Sequence, residues 1–377
     1  MHPDIDELIE MCSSEKIREF RKHTKPVYKY MLCGIFKEII VKGDYLSSWT
    51  YGQAKFMSVT PELIPNQDGP GYAQMKQRVI GELRESQFIT PDRDSQVDMI
   101  IKFFRDYLNS YKENEKTLYL ISEVKNIIDV KALIKELKGN VLKDHHWVDI
   151  NFKQQPIVPT FPEFFNYLDL INLWNDFILK YEKAKQLAEK EENTSQNPEW
   201  RELDYSYSAS LRTLVILSVN FVEAYLYYYF YNMKQEKKYN KQSKVFNLKG
   251  YIQDTQIVED LIFQVHTNIR DDAGIQQLFE NYEEILKIRN RLVHTSAFVD
   301  NSNKIAELQP LINIKLDDVT SYLQTCVDFV INIDTMLPSD EKILLWWEYF
   351  ETPIFANKEK ISVLNIKAAK EKIGKLK

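Results

Sequence analysis

The chain has 377 residues, 44% hydrophobic and 13% aromatic, which is enough apolar material for a sizeable core and enough length for two or three domains. Its formal net charge of −6 excludes a molecule that attracts nucleic acid through overall charge. The three cysteines (Cys12, Cys33, Cys326) have no paired spacing, and the start MHPDIDELIEM has no basic-then-apolar run, so a cytoplasmic, disulfide-free protein is expected.

Only ten glycines occur and apolar residues recur mostly at helical spacing, which predicts a mainly α protein. Residues 4 to 42 read as helices, followed by an irregular stretch containing TPELIPNQDGPG. Thr117 to Ser122 (TLYLIS) and Trp147 to Phe152 (WVDINF) are strand-like and flank an amphipathic helix around Ile127 to Leu137. Together they predict a small α/β unit at about 115–155 within a helical N-terminal domain. From Pro162 a long helix carries Phe164, Leu168, Ile171, Trp174, Ile178 and Tyr181 on one face.

Residues 188 to 204 combine charge, Asn, Ser and Pro without an apolar stripe. This places a linker at 191–204, between a sensor or regulatory domain (1–190) and a second domain (205–337). Four helices are expected in the latter, at about 205–235, 255–270, 274–295 and 316–336. The last has Asp317 and Asp318 in its first turn, where the helix dipole favours acids, and Pro338 just past its end. Short connections imply an antiparallel helical bundle. Residues 338–377 add an amphipathic segment, SDEKILLWWEYF, and a lysine-rich tail.

Leu214 to Tyr231 (LVILSVNFVEAYLYYYFY) holds a single charge, Glu223. Its tyrosines, Asn220 and mid-run glutamate mark a buried core helix, so no membrane is expected as a partner. A buried charge needs a partner. One is available in the third bundle helix, where the stripe Leu278, Tyr282, Ile285, Arg289, Leu292 puts an arginine at a core position. A Glu223–Arg289 pair follows as the simplest solution.

After that arginine the chain reads Arg289-Asn290-Arg291-Leu292-Val293-His294, with a helix end expected at Asp300 to Asn303. This resembles the HEPN family (higher eukaryotes and prokaryotes nucleotide-binding), whose signature is an arginine, usually followed by a polar residue, and a histidine after four to six intervening residues. The resemblance covers about 205–337, including an apolar first helix bearing a glutamate, here Glu223. It implies an endoribonuclease that cleaves RNA by attack of the ribose 2′-hydroxyl, without a metal or other cofactor. It further implies a homodimer in which two copies of the motif meet, in a bacterial toxin or anti-phage defence (abortive infection) setting. An antitoxin or a phage-derived trigger would be the regulatory partner. Expected catalytic residues are Arg289, Asn290, His294 and Glu223.

The chemistry suits these residue types. Asn290 and His294 share a helix face, and a histidine near a helix C-terminus can exchange a proton near neutral pH. An arginine fork can stabilise charge growing on a phosphate. Between Lys234 and Lys249 six lysines stand against one acid, so Lys234, Lys237, Lys238, Lys241 and Lys244, with Arg291, are expected to contact RNA. The same helical bundle is also compatible with a non-catalytic module that dimerises and binds RNA, a nucleotide or a protein.

Other patterns carry less. Arg18 to His23 (REFRKH) repeats the Arg/His spacing but lies in a charge-dense stretch and reads as a solvated face. Glu123-Val124-Lys125, with Pro91-Asp92 upstream, matches the E-x-K half of a nuclease site but has a helical segment intervening. His145-His146 lacks a second ligand cluster and reads as an exposed turn before a strand. No P-loop, dinucleotide fingerprint, nucleophile elbow or H-E-x-x-H motif is present.

Overall fold

The computed structural model describes residues 3–42, 44–63, 70–84, 94–114, 117–130, 142–150, 157–190, 198–293, 313–347 and 350–362. The mainly α class is borne out. The chain divides into two units, Met1–Thr160 and Phe161–Lys377.

In the first unit the helices are α1 (Pro3–Met11), α2 (Ser14–Glu19), α3 (Thr24–Lys42), α4 (Trp49–Val59), α5 (Pro70–Arg84) and α6 (Asp94–Asn114). Residues 31–40 of helix α3 are all buried, with Lys37 and Glu38 paired at 3.1 Å within the run, as expected of a helix surrounded by others. Helices α4, α5 and α6 pack on it. Gly34 permits the closest of these approaches, because a Cβ there would lie 2.9 Å from Thr50 Cγ2 and 3.1 Å from Val79 Cγ1. Cys12 and Cys33 are buried free thiols, and burial pushes their pKa values up.

The unit ends in an antiparallel sheet of order β1-β2-β3: β1 (Thr117–Leu120), β2 (Trp147–Ile150) and β3 (Ile157–Thr160). Leu118 pairs with Asp149, and Val148 with Pro159. The first strand stops two residues earlier than its sequence pattern implied. The chain turns there into a short helix, Ile121–Val124, in which Glu123 Oε2 accepts the Leu120 N–H at 2.7 Å. Lys125 pairs with Asp144. Glu123 and Lys125 therefore serve local structure, while Pro91 and Asp92 lie outside the described residues. So does most of the helix expected around Ile127 to Leu137.

The reading of His145-His146 as an exposed turn needs correction. The turn precedes β2 as expected, but His146 is buried and its Nδ1 accepts the Lys143 N–H at 3.0 Å. Burial lowers its pKa to about 3, which keeps the ring neutral.

The second unit holds four long helices: α7 (Pro162–Lys190), α8 (Pro198–Gln235), α9 (Ala273–Val293) and α10 (Leu316–Met336). The segment expected as one helix at 255–270 is instead broken into Asp254–Ile257, a π-turn at Val258–Ile262, Phe263–Val265 and Thr267–Arg270. Helices α7 and α8 run antiparallel: Tyr167 meets Phe221, Phe177 meets Tyr207, and Lys183 pairs with Glu199. Because α7 packs along α8, the segment expected as an interdomain linker falls inside the second unit, whose start is Phe161. Helix α9 runs antiparallel to α10, since Asn268 just before it bonds the Met336 carbonyl while Tyr282 stacks on Phe329.

Helix α8 contains the one span among the described residues long and apolar enough to cross a membrane. Its apolar side chains Leu214, Val219, Phe221, Val222, Tyr225, Leu226 and Tyr229 are fully buried against other parts of the unit. The chain after α10 forms turns and one short 3-10 helix, Phe355–Asn357. Trp346 and Trp347 pack against Tyr167, Trp346 Nε1 donates to Glu163 Oε1 at 2.9 Å, and Trp174 Nε1 donates to the Glu359 carbonyl at 2.8 Å. The lysine-rich tail from residue 363 lies outside the described residues.

Candidate functional site

Glu223 and Arg289 interrupt the apolar faces of α8 and α9, and the fold brings them together. Arg289 Nη2 donates to Glu223 Oε1, with 14% of the arginine and 21% of the glutamate side chain exposed. Burial raises the Glu223 pKa above the ordinary glutamate range; the Arg289 guanidinium opposes this and Asp254 adds to it. Asp254 is buried beside the pair and accepts the Tyr282 hydroxyl. Tyr227 donates to the Ile252 carbonyl, and its ring faces exposed Tyr251 at 6.3 Å.

Arg289 Nε is buried and has no hydrogen-bond partner among the described residues. The guanidinium carries five donors in a fixed fork, and the bond to Glu223 uses Nη2. Asn290 and Arg291 are exposed on the last turn of α9. His294 and the expected helix end at Asp300 to Asn303 lie outside the described residues.

The lysines divide into two groups. Lys234, Lys237, Lys241 and Lys244 are exposed. Lys238 is drawn instead into ion pairs with Asp340 at 2.8 Å and Glu341 at 2.6 Å. The backbone takes left-handed conformations at Lys237 (φ 55°) and Tyr239 (φ 61°), and this reverses the chain after α8.

Glu341 is the centre of a polar network that sequence reasoning missed. Fully buried, it accepts from Tyr229 at 3.0 Å and from Tyr239, and it meets His266 Nε2 at 2.9 Å. The partners hold its carboxyl near a pKa of about 2 despite its burial. The network fastens the chain after Pro338 to the end of α8. Its only local signal was the density of tyrosines following Glu223. Among the described residues no group of three or more His, Cys, Asp or Glu side chains could hold a metal ion.

Comparison with protein-family models, with curated proteins and with solved structures returned no match for this chain.

The pair makes a direct stability prediction. Glu223→Ala leaves a desolvated guanidinium without its counter-charge, a loss of about 3 kcal/mol, at the low end for breaking a buried pair because both side chains keep some exposure. For a unit of this size the melting temperature should fall by roughly 6–12 °C. Calorimetry showing an unchanged transition would mean that the pair contributes nothing to the fold.

Proposed function

We propose that the second unit is a metal-independent endoribonuclease of the HEPN type. The observation that supports this reading is the Glu223–Arg289 pair. The two residues that break the apolar stripes of helices distant in sequence meet at one point, immediately before Asn290 and the segment leading to His294. In this reading Arg289 stabilises the negative charge that grows on the scissile phosphate, while Glu223 fixes the orientation of the fork. Asn290 positions a phosphate oxygen. His294 exchanges the proton of the attacking 2′-hydroxyl or of the departing 5′-oxygen. The exposed Lys234, Lys237, Lys241 and Lys244, with Arg291, hold flanking phosphates, and Lys238 is left to structure.

One motif supplies one histidine, whereas cleavage by this route needs one group to take a proton and another to give one. A two-fold homodimer that joins two motifs meets that need, and isologous dimers are the commonest oligomer. Light scattering at micromolar concentration should give twice the 44.7 kDa chain mass, with or without RNA. A monomer under both conditions would contradict the shared site. The HEPN resemblance places such an enzyme in a bacterial toxin or anti-phage defence setting, controlled by an antitoxin or a phage-derived trigger.

A rival reading, a non-catalytic module that dimerises and binds RNA, a nucleotide or a protein, has one observation in its favour: the Arg289 side chain is largely buried and already engaged. Incubation of the purified protein with total RNA in EDTA separates the two. Cleavage supports the enzyme, and intact RNA supports the binding module.

A further inference from the structure

The repeat of the Arg/His spacing at Arg18 to His23 has no part in the proposed ribonuclease, yet the fold gives it a setting of its own. Lys22 and His23 immediately precede α3. Together with the first turn of that helix and one face of α5 they line a cavity of about 410 Å³ within the first unit. Tyr30, Tyr72, Lys76 and Gln77 complete the part that concerns chemistry. Tyr72 and Lys76 stand one turn apart on α5, so their side chains fall on the same face. The Lys76 ammonium lies 4.5 Å from the centre of the Tyr30 ring, which holds the charge at the cavity wall.

Two properties separate this cavity from an ordinary surface recess. Among the described residues no acidic side chain lines it, in a chain whose net charge is −6. Lys22 and Lys76 form no ion pair among the described residues, so their charge is uncompensated. Unpaired cations ask for an anion. The half-exposed Tyr72 ring and the apolar Val27 and Ile80 ask for a flat, partly apolar body attached to it. The volume falls within the usual range for small-molecule sites, about 300 to 1,000 Å³.

We propose that this cavity binds a free nucleoside monophosphate, with Lys22 and Lys76 on the phosphate and the base stacked on Tyr72. Recognition rests on side chains rather than on a glycine-rich loop, which accounts for the absence of any nucleotide-binding motif in the sequence. Sharing a phosphate and a base with an RNA 5′-end, such a site must be tested against both sources.

Isothermal titration calorimetry of the full chain with AMP, GMP, CMP and UMP should show binding of at least one nucleotide. Inorganic phosphate and the matching nucleoside should each bind at least tenfold more weakly. Lys22→Ala and Lys76→Ala should each weaken nucleotide binding tenfold or more; Tyr72→Ala should do the same and Tyr72→Phe should not. Arg289→Ala, in the other unit, should leave this binding unchanged and so keep the test independent of the ribonuclease. Circular dichroism spectra matching the wild type would exclude misfolding of the variants. The proposal is overturned if none of the four nucleotides binds at millimolar concentration, if either lysine variant binds as the wild type does, or if inorganic phosphate binds as tightly as the nucleotides. It is equally overturned if 5′-phosphorylated RNA binds and free nucleotides do not, an outcome that would assign the cavity to RNA ends.

Discussion

Arg289→Ala and His294→Ala should each lower RNA cleavage on the order of a hundred-fold or more, by different routes. Removing a preorganised cation from the scissile phosphate costs about two to three powers of ten, and removing a general acid or base about two to four. The two variants should separate in stability. Arg289→Ala strips Glu223 of its counter-charge in a half-buried position, so its melting temperature should fall as well; the Glu223 carboxyl, whose pKa burial already raises, then moves further toward its neutral form. In the proposed site His294→Ala removes the proton-transfer group and should cost activity alone. Cleavage by either variant at the wild-type rate would remove that residue from the site.

The second large effect concerns Glu163, in the first turn of α7. Its side chain is fully buried, with Oε1 bonded to Trp346 and Oε2 buried without a hydrogen-bond partner among the described residues. Acids in a helix's first turn normally favour the charged form. Here burial outweighs the dipole, Asp334 adds its repulsion, and the pKa is pushed from the ordinary 4.5 up to about 8. Because the folded pKa is the higher one, the folded protein holds a proton that the unfolded chain releases between those two values. Stability from this group is therefore fully present below pH 4.5, declines as pH rises, and is lost once pH passes about 8. A tenfold change in proton affinity is worth about 1.4 kcal/mol, so the loss amounts to several kcal/mol.

Glu163→Gln mimics the protonated acid and keeps an acceptor for Trp346. Its amide adds a buried donor whose cost does not vary with pH, so the difference between the two proteins across pH is the informative quantity. Melting temperatures taken from pH 5 to 9 should diverge in favour of the glutamine protein as pH rises. Parallel profiles would show that Glu163 does not titrate in this window.

The comparison of Glu163 with Glu223 shows which parts of the molecule could be read from sequence. Glu223 was legible because it is the single charge in an eighteen-residue apolar run, and Arg289 because it occupies a position that the helical period assigns to the core. Glu163 sits where a glutamate is expected anyway. Its burial comes from Trp346, 183 positions away, and no local pattern carries that information. The helices α7 to α10 were visible as long periodic segments, whereas the polar stretch between α7 and α8 resembled a linker although the helices it joins pack together. Strand β3 escaped notice because Pro159 argues against a strand, and a proline is tolerated there only because β3 lies at the edge of its sheet. The Glu341 network was hidden in the same way as Glu163, its members being drawn from α8, the turn after it, the broken segment and the chain beyond Pro338.

The chemistry of the cleaved ends tests the ribonuclease reading most directly. Purified protein incubated with RNA in EDTA should produce fragments carrying 2′,3′-cyclic phosphate and 5′-hydroxyl ends, because attack by the neighbouring 2′-hydroxyl requires no metal and leaves the phosphate on the upstream fragment. Fragments with 3′-hydroxyl and 5′-phosphate ends, or RNA left intact by a folded dimer, would contradict it.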